Sequence, residues 1–261
     1  MLNLAAGELP EKLNISEPER VFAVHKGYAD AGAQFITANT FGANSLKYGN
    51  VDELVKAGVA LAKKAGKYVA LDIGPTGKLL KPMGDLEFER AVELFAEVVR
   101  AGKDGSDVAI IETMSDMYEL KAAVIAVKEN SDLPIITSMI FDESGRLLTG
   151  GDVKSAVAML EGLRVDAIGF NCGLGPKQMI PLVKELRECT SLPILVMPNA
   201  GLPESVDGKT VYNVSPDEFA QDMREIAKLG VSILGGCCGT TPKHIAKMIE
   251  LCKDCLLYTS D

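Results

Sequence analysis

Short apolar runs alternate with longer amphipathic segments along most of the chain. Seven of the runs are rich in β-branched residues, and they begin at Phe35, Tyr68, Asp107, Pro134, Asp166, Pro193 and Val231. Runs of this length that are apolar throughout are typical of strands buried on both faces of a parallel sheet. Their alternation with helical segments predicts a succession of βαβ units.

The segments between the runs have the apolar spacing of amphipathic helices. The predicted helices are Val51–Gly66, Leu86–Lys103, Ser115–Glu129, Asp152–Leu163, Pro176–Glu188, Pro216–Leu229 and a last one from Pro242 to about Cys252. Ser16-Glu17-Pro18-Glu19 resembles a capping box, which predicts an earlier helix that runs to about Ala31. Thr241-Pro242 predicts a capped start for the last helix.

Seven strand–helix units preceded by a helix fall one strand short of a (β/α)8 barrel. We therefore predict an α/β fold of the TIM-barrel type that lacks strand one at the N-terminus. We expect residues 1–255 to form one N-terminally truncated barrel domain and residues 256–261 to be a non-native or disordered tail. An open doubly wound sheet is the alternative, but no Gly-x-Gly-x-x-Gly turn follows the first strand.

Composition narrows the class of protein further. With 47% apolar and 24% charged residues, the chain has the balance of a globular domain. Its net charge of −9 argues against a nucleic-acid partner, which would require a basic patch. No apolar run has the length of a membrane span, and the N-terminus lacks the layout of a signal peptide. We therefore expect a cytoplasmic protein with no nucleic-acid or membrane partner.

Cysteine is the most informative residue type at the predicted strand ends. Cys172 ends the fifth run, and Cys237 and Cys238 end the seventh, inside Gly-Gly-Cys-Cys-Gly. In a barrel these ends meet at one mouth, where three thiolates suit Zn²⁺ with an exchangeable fourth ligand. Such a site favours holding an external thiolate that can attack a methyl group. Small buried apolar cysteines are the alternative, whereas a disulfide between adjacent cysteines would be geometrically awkward.

Several motifs appear in an order that resembles a known family. They are ANTFGAN, DIGPTG, IIETMSD, FDESGRLLTGGD, GFNCGLGP, PNAGLP and GGCCGTTPKHI. From about Gly7 to about Cys252 the chain resembles the homocysteine-binding domain of the homocysteine S-methyltransferases, in particular that of the cobalamin-dependent methionine synthases. Gly-Phe-Asn-Cys together with Gly-Gly-Cys-Cys-Gly is the most specific part of the resemblance.

The resemblance implies a zinc-dependent enzyme that methylates homocysteine to methionine. Its metal ligands and catalytic residues would be Cys172, Cys237 and Cys238, and the homocysteine sulfur would take the fourth zinc position. Glu112 would face the amino group of homocysteine, the alternative being a carboxylate that only caps a strand-to-helix turn. Asn199, Asn39 and Thr40 are further candidates for the substrate pocket, although all three are also common turn residues. The methyl donor would be methylcobalamin on another domain or protein, with cobalamin-binding and folate-binding partners.

Other interpretations stay open at this point. The donor could instead be S-methylmethionine or a betaine. A barrel without its first strand, which in the family carries an Asp-Gly-x-x-Gly-Thr turn, could bind zinc without catalysis. A structural zinc site would need a fourth protein ligand, for which His25 and His244 are poorly placed. Cys252 and Cys255 form a Cys-x-x-Cys pair that could be redox-active or half of a zinc site.

Overall fold

The computed structural model describes Leu4 and residues 8–206 and 209–255, apart from the side chains of Val206 and Lys209. The predicted tail, residues 256–261, lies outside the described residues. The chain divides into two compact units, Met1–Thr137 and Ser138–Asp261.

The first unit contains parallel strands β1 (Phe35–Thr37), β2 (Tyr68–Ile73) and β3 (Val108–Met114). Each strand lies beside the next one in the chain, with Thr37 opposite Ala70 and Asp72 opposite Ile110. Its helices are α1 (Leu13–Ser16), α2 (Pro18–Asp30), α3 (Val51–Lys64), α4 (Phe88–Gly102) and α5 (Met117–Asn130), with 3₁₀ turns at Pro10–Lys12 and Lys103–Gly105.

The core of this unit lies between the helices and the strands. Helix α4 buries Leu94, Phe95 and Val99, which recur at helical spacing on one face. Strand β2 meets α4 closely, because a Cβ atom built on Gly102 would lie 2.4 Å from Cδ1 of Leu71. Glycine at the end of α4 therefore lets helix and strand approach each other.

The second unit contains the parallel strands β5 (Ala167–Asn171), β6 (Ile194–Met197) and β9 (Ile233–Leu234). An antiparallel hairpin, β7 (Glu204–Val206) and β8 (Lys209–Val211), follows β6. The helices are α6 (Val153–Gly162), α7 (Pro176–Cys189), α8 (Pro216–Ala227) and α9 (Pro242–Cys252). Strand β4 (Ile135–Met139) contains the point at which the first unit ends and the second begins.

The order of the parallel strands is the order of the chain, β1-β2-β3-β4-β5-β6-β9. Within the described ranges there are thus seven strands of this kind, each followed by a helix, which confirms the predicted α/β fold of the barrel type with one strand fewer than eight. Among the same residues, none of the helices combines the length and apolar character that a bilayer crossing requires.

Helix starts show where local sequence determined the structure. Thr241 caps α9 with Pro242 in the first turn, as predicted. The capping box predicted at Ser16 is wrong, because the Ser16 hydroxyl donates to the carbonyl oxygen of Lys12 (3.2 Å). Residues that precede proline avoid the helical region. Glu17 accordingly has φ −140° and ψ 56°, so α1 ends at Ser16 and α2 begins at Pro18.

Candidate metal centre

Two loops of the second unit bring three thiols together. Cys172 directly follows β5, and Cys237 and Cys238 follow β9. The three Sγ atoms lie within 4.8 Å of one another, and those of Cys172 and Cys238 are 3.8 Å apart. Cys172 and Cys237 are half-buried, whereas Cys238 is exposed. The predicted convergence of these three cysteines is therefore present in the structure.

The turn at Cys172 uses an unusual backbone conformation. Cys172 has φ 58° and Gly173 has φ 67°, so two consecutive residues occupy the left-handed region. For a residue other than glycine, this conformation costs about 1–2 kcal/mol. Hydrogen bonds hold the turn, since the Cys172 amide donates to the carbonyl of Met197 (3.1 Å) and the Leu174 amide donates to the carbonyl of Cys172 (2.7 Å).

The loop that follows β6 fixes the adjacent cysteines through their backbone. The Cys237 amide donates to the carbonyl of Pro198 (2.8 Å), and the Cys238 amide donates to Oδ1 of Asn199 (3.0 Å). The Ala200 amide donates in turn to the carbonyl of Cys238 (2.9 Å). Three successive residues of one loop thus hold the peptide units that carry two of the thiols.

Two side chains beside the thiols were not predicted. Asn171 is fully buried; its Oδ1 accepts from the Ser138 hydroxyl (2.8 Å), and its Nδ2 donates to Sγ of Cys237 (4.0 Å). Tyr212, next to the β7–β8 hairpin, packs its ring against Gly239, the residue that follows Cys238. Asn171 directly precedes Cys172 in Gly-Phe-Asn-Cys, and this position in the motif could have indicated that it lies beside the thiols. For Tyr212 the signal was the nearby Asp207-Gly208, a dipeptide typical of hairpins.

The three thiols of the cluster differ in pKa. Hydrogen bonds with Cys172 and Cys237 lower the pKa of Cys238 well below the usual value of a thiol. Hydrogen bonds to the other two cysteines, together with burial, raise the pKa of Cys237. At Cys172 the hydrogen bond from Cys237 lowers the pKa, but the hydrogen bond to Cys238 and burial outweigh it and the pKa is raised. The negative charge of the cluster therefore falls first on Cys238.

The geometry of the cluster suits zinc. Tetrahedral Zn²⁺ with Zn–S bonds of about 2.3 Å places two sulfur ligands about 3.8 Å apart. The separation of the Cys172 and Cys238 sulfurs equals that value, and Cys237 lies within reach. In the described part of the chain no carboxylate, histidine or further cysteine joins these three as a fourth ligand. Three protein ligands with one position left for another molecule are typical of catalytic zinc rather than structural zinc.

The four residues predicted to contact substrate lie in different places. Asn199, in the second unit, is buried and adjoins the cysteines through its bond to the Cys238 amide. Asn39 and Thr40 belong to the first unit, where Asn39 Nδ2 donates to Pro10 and Asn14 (both 2.8 Å) and the Thr40 hydroxyl donates to the carbonyl of Asp72 (2.8 Å). Contacts of these residues with homocysteine stay predictions.

Glu112, the fourth candidate, lies on β3 and is half-buried. It precedes Thr113, which has φ 63° and is thus a β-branched residue in the left-handed region. Backbone strain of this kind clusters at functional sites. The role of Glu112 toward an amino group stays a prediction.

A second acidic group, Asp72, interacts electrostatically with Glu112. Asp72 is buried at the end of β2, and its Oδ1 has no hydrogen-bond partner. Burial raises the pKa of Asp72, and the carboxylates of Glu112 and Glu11 raise it further. Glu11 is itself buried and accepts hydrogen bonds from the Gly42 amide and the Tyr48 hydroxyl.

The remaining histidine and cysteine candidates take no part in the cluster. His244 is buried in α9, where its Nε2 donates to the carbonyl of Val214 (3.0 Å) and its ring packs edge-on against Phe219. His244 therefore packs within the second unit, in agreement with the expectation that it is poorly placed as a zinc ligand. Cys252 and Cys255 lie at the end of α9, where burial and the neighbouring Cys255 raise the pKa of Cys252 to about 11.

Comparison with known proteins gives concordant matches over nearly the whole chain. The sequence model described as homocysteine S-methyltransferase matches residues 4–252. Methionine synthase of Mycobacterium leprae is 33% identical over 269 residues, which cover 94% of this chain and 22% of the relative. Methionine synthase of Mycobacterium tuberculosis is also 33% identical, over 91% of this chain and 22% of the relative. The chain thus spans about a fifth of the length of these curated relatives.

Solved structures support the same fold. The metallated form of the homocysteine methyltransferase MmuM from Escherichia coli has a TM-score of 0.79 and 23% identity over 94% of this chain and 90% of that one. The oxidized form has a TM-score of 0.80 and 24% identity over 95% and 89% of the two chains. At this level of identity the likeness establishes the shared fold.

Proposed function

Because the chain belongs to the homocysteine S-methyltransferase family, we propose that it holds Zn²⁺ on Cys172, Cys237 and Cys238 and methylates the sulfur of homocysteine, giving methionine. The observation that carries the proposal is the cluster of three thiols within 4.8 Å. Bound zinc supplies one kind of chemistry, the deprotonation of a thiol near neutral pH.

The protein's own residues would prepare this site in two ways. The loop Pro198–Ala200 fixes the peptides of Cys237 and Cys238, so two donors are positioned before a metal arrives. Asn171, fixed by Ser138, donates to the sulfur of Cys237 and would compensate part of the negative charge of that sulfur once it binds zinc. A site prepared in this way costs little reorganisation when ligands bind.

The proposed reaction is a transfer of a methyl group between a donor and a thiolate. The sulfur of homocysteine forms a bond to the methyl carbon, the bond between that carbon and the donor breaks, and the thiol proton leaves to solvent. We propose Glu112 as the partner of the substrate ammonium group, with Asn39, Thr40 and Asn199 as further contacts. These four assignments rest on sequence resemblance.

We propose methylcobalamin, carried by another domain or protein, as the methyl donor. The methionine synthase relatives support this choice, and so does their length, because the chain matches only 22% of each. We also propose cobalamin-binding and folate-binding domains or proteins as partners, on the strength of the sequence resemblance. S-methylmethionine and a betaine remain the alternative donors. A cytoplasmic location is part of the proposal, since reduced cysteines are typical of that compartment.

The proposal is tested by measuring bound metal and bound substrate together. Zinc would be measured by elemental analysis in the wild type and in Cys237→Ala, purified under reducing conditions, and homocysteine binding by calorimetry on the same samples. Cys189→Ala is the matched control, because Cys189 ends α7 and is not part of the cluster. We expect about one zinc per chain and zinc-dependent homocysteine binding in the wild type and the control. Both should be absent from Cys237→Ala.

Two results would contradict parts of the proposal. If the wild-type protein contains no zinc, the proposed metal site is contradicted. Zinc without homocysteine binding would identify a metal-binding domain that does not take this substrate. If both binding steps are present, methyl transfer from methylcobalamin, S-methylmethionine and betaine, measured separately, identifies the donor.

A further inference from the structure

Asp72, near the end of β2, is a buried acid to which the proposed reaction gives no role. Its side chain is 6% exposed, and among the described residues its Oδ1 has no hydrogen-bond partner. A carboxylate that is buried without a partner is costly, because it loses its bonds to water and gains no others. A cation that arrives with a ligand would remove this cost.

The neighbours of Asp72 along the strand show which way its side chain points. Successive side chains of a strand point to opposite faces of the sheet. Leu71 points toward α4, because a Cβ atom built on Gly102 of that helix would lie 2.4 Å from its Cδ1. Asp72 therefore points to the opposite face of the sheet, away from α4.

Glu112 lies on the same face of the sheet, on the neighbouring strand. In the register of β2 and β3, Asp72 is opposite Ile110, and Glu112 is two residues farther along β3. Two residues advance a strand by about 6.6 Å, and neighbouring strands lie about 4.8 Å apart. The Cα atoms of Asp72 and Glu112 are therefore about 8 Å apart. At this separation the two carboxyl groups can approach one small cation between them.

An aromatic ring and a backbone contact border the position of Asp72. A Cβ atom built on Gly74, two residues after Asp72, would lie 2.5 Å from Cδ2 and Cε2 of Phe41, so this ring covers the backbone beyond the strand. The Thr40 hydroxyl donates to the carbonyl of Asp72 (2.8 Å) and accepts from its amide (3.2 Å), which holds the backbone of the acid. Carboxylates and an aromatic ring both attract an organic cation.

The spacing of these groups indicates the kind of cation. Within the described residues, the three cysteines of the cluster gather their ligand atoms closely enough for a metal ion, and no set of three acids does so. Hard metal ions require about six or more oxygen ligands. An alkylammonium group has only three N–H donors to satisfy. Homocysteine, the proposed substrate, carries one such group.

We propose that Asp72 is a substrate-binding residue: its carboxylate and that of Glu112 bind the ammonium group of homocysteine between them. The inference rests on the proposed function, which supplies the substrate. It adds a cause of specificity, because a thiol without an ammonium group would leave the buried carboxylate of Asp72 unpaired. Sites that contain buried polar groups reject ligands that cannot pair with them.

The test compares homocysteine with 4-sulfanylbutanoate, which has the same thiol and carboxylate but no ammonium group. Calorimetry on the full-length, zinc-loaded chain would measure the affinity of each ligand for the wild type and for Asp72→Asn. Asparagine keeps the size of the side chain and removes its charge. Asp104→Asn is the matched control, because Asp104 is an exposed aspartate of the same unit.

We expect the wild type to bind homocysteine more tightly than 4-sulfanylbutanoate. Asp72→Asn should bind homocysteine about 10- to 100-fold more weakly, because a hydrogen bond between charged groups is lost. Its affinity for 4-sulfanylbutanoate should equal or exceed that of the wild type, since no buried charge is left unpaired. Asp104→Asn should match the wild type with both ligands. Asp72→Ser carries the same comparison if Asp72→Asn does not fold.

Two results would overturn the inference and leave the proposed function standing. One is an unchanged affinity of Asp72→Asn for homocysteine. The other is an equal loss of affinity for both ligands, which would give Asp72 a purely structural role. Wild-type protein that holds zinc but binds no homocysteine would overturn the proposed function itself, so the wild-type sample distinguishes the two failures.

Discussion

Replacing Asn199 by alanine tests whether the loop after β6 prepares the metal site. Asn199 is 2% exposed, and its Oδ1 accepts the amide of Cys238 at 3.0 Å. Alanine leaves that partly buried amide without an acceptor, which costs about 1–3 kcal/mol. Because Cys238 is exposed, water can replace part of the lost bond. We therefore expect a loss of about 1–2 kcal/mol in the free energy of unfolding.

For a chain of this size, each 1 kcal/mol shifts the melting temperature by about 2–4 °C, so Asn199→Ala should melt about 2–8 °C lower. Circular dichroism melts in the presence of a chelator would measure this shift without a contribution from metal. Asn50→Ala is the control, because Asn50 is exposed and the bond of its side chain is an exposed one, from Nδ2 to the carboxylate of Glu53 (3.0 Å). Equal melting temperatures and equal zinc affinities for Asn199→Ala and the wild type would refute the claim that this bond holds Cys238.

Two further predictions concern stability. His25 is buried and its pKa is lowered from 6.5 to about 4 by burial, so between pH 6.5 and about pH 4 the unfolded chain binds more protons than the folded chain. As the pH falls through this range, the free energy of unfolding should decrease by up to about 1.4 kcal/mol per pH unit. His25→Leu, compared with the wild type by urea unfolding at pH 7 and pH 5, should lack this contribution. A Cβ atom on Gly169 would lie 1.9 Å from the carbonyl oxygen of Leu195, so Gly169→Ala should lower the melting temperature. Gly49→Ala, which meets nothing within 4 Å, should not lower it.

The strands were predictable from sequence because their apolar character is local. The predicted runs at Tyr68 and Pro134 became β2 and β4, with ends that differ by a residue or two. Convergence of the cysteines was predictable for a related reason, since successive parallel strands end at one edge. The hairpin β7–β8 escaped prediction because its strands are three residues long and largely polar.

The contacts around the thiols could not be predicted, because they join residues far apart in the chain. Asn171 reaches Cys237 across 66 positions, and Asn199 reaches the Cys238 amide across 39. The bond between Glu11 and Tyr48 spans 37 positions and follows from no local pattern. The three cysteines could be singled out from the sequence alone, whereas the groups that orient them depend on tertiary packing.

The spacing of the proposed ligands along the chain has a consequence for folding. Cys172 and Cys238 are 66 residues apart, and β6, the hairpin and helices α7 and α8 lie between them. An ion bound to both cysteines is a removable cross-link. Such a cross-link lowers the entropy of the unfolded chain by closing a loop of that length, and it would stabilise the folded state by about 4 kcal/mol. Chelation should therefore speed amide hydrogen exchange mainly between β5 and β9, and metal supply would set the lifetime of this half of the protein as well as its chemistry.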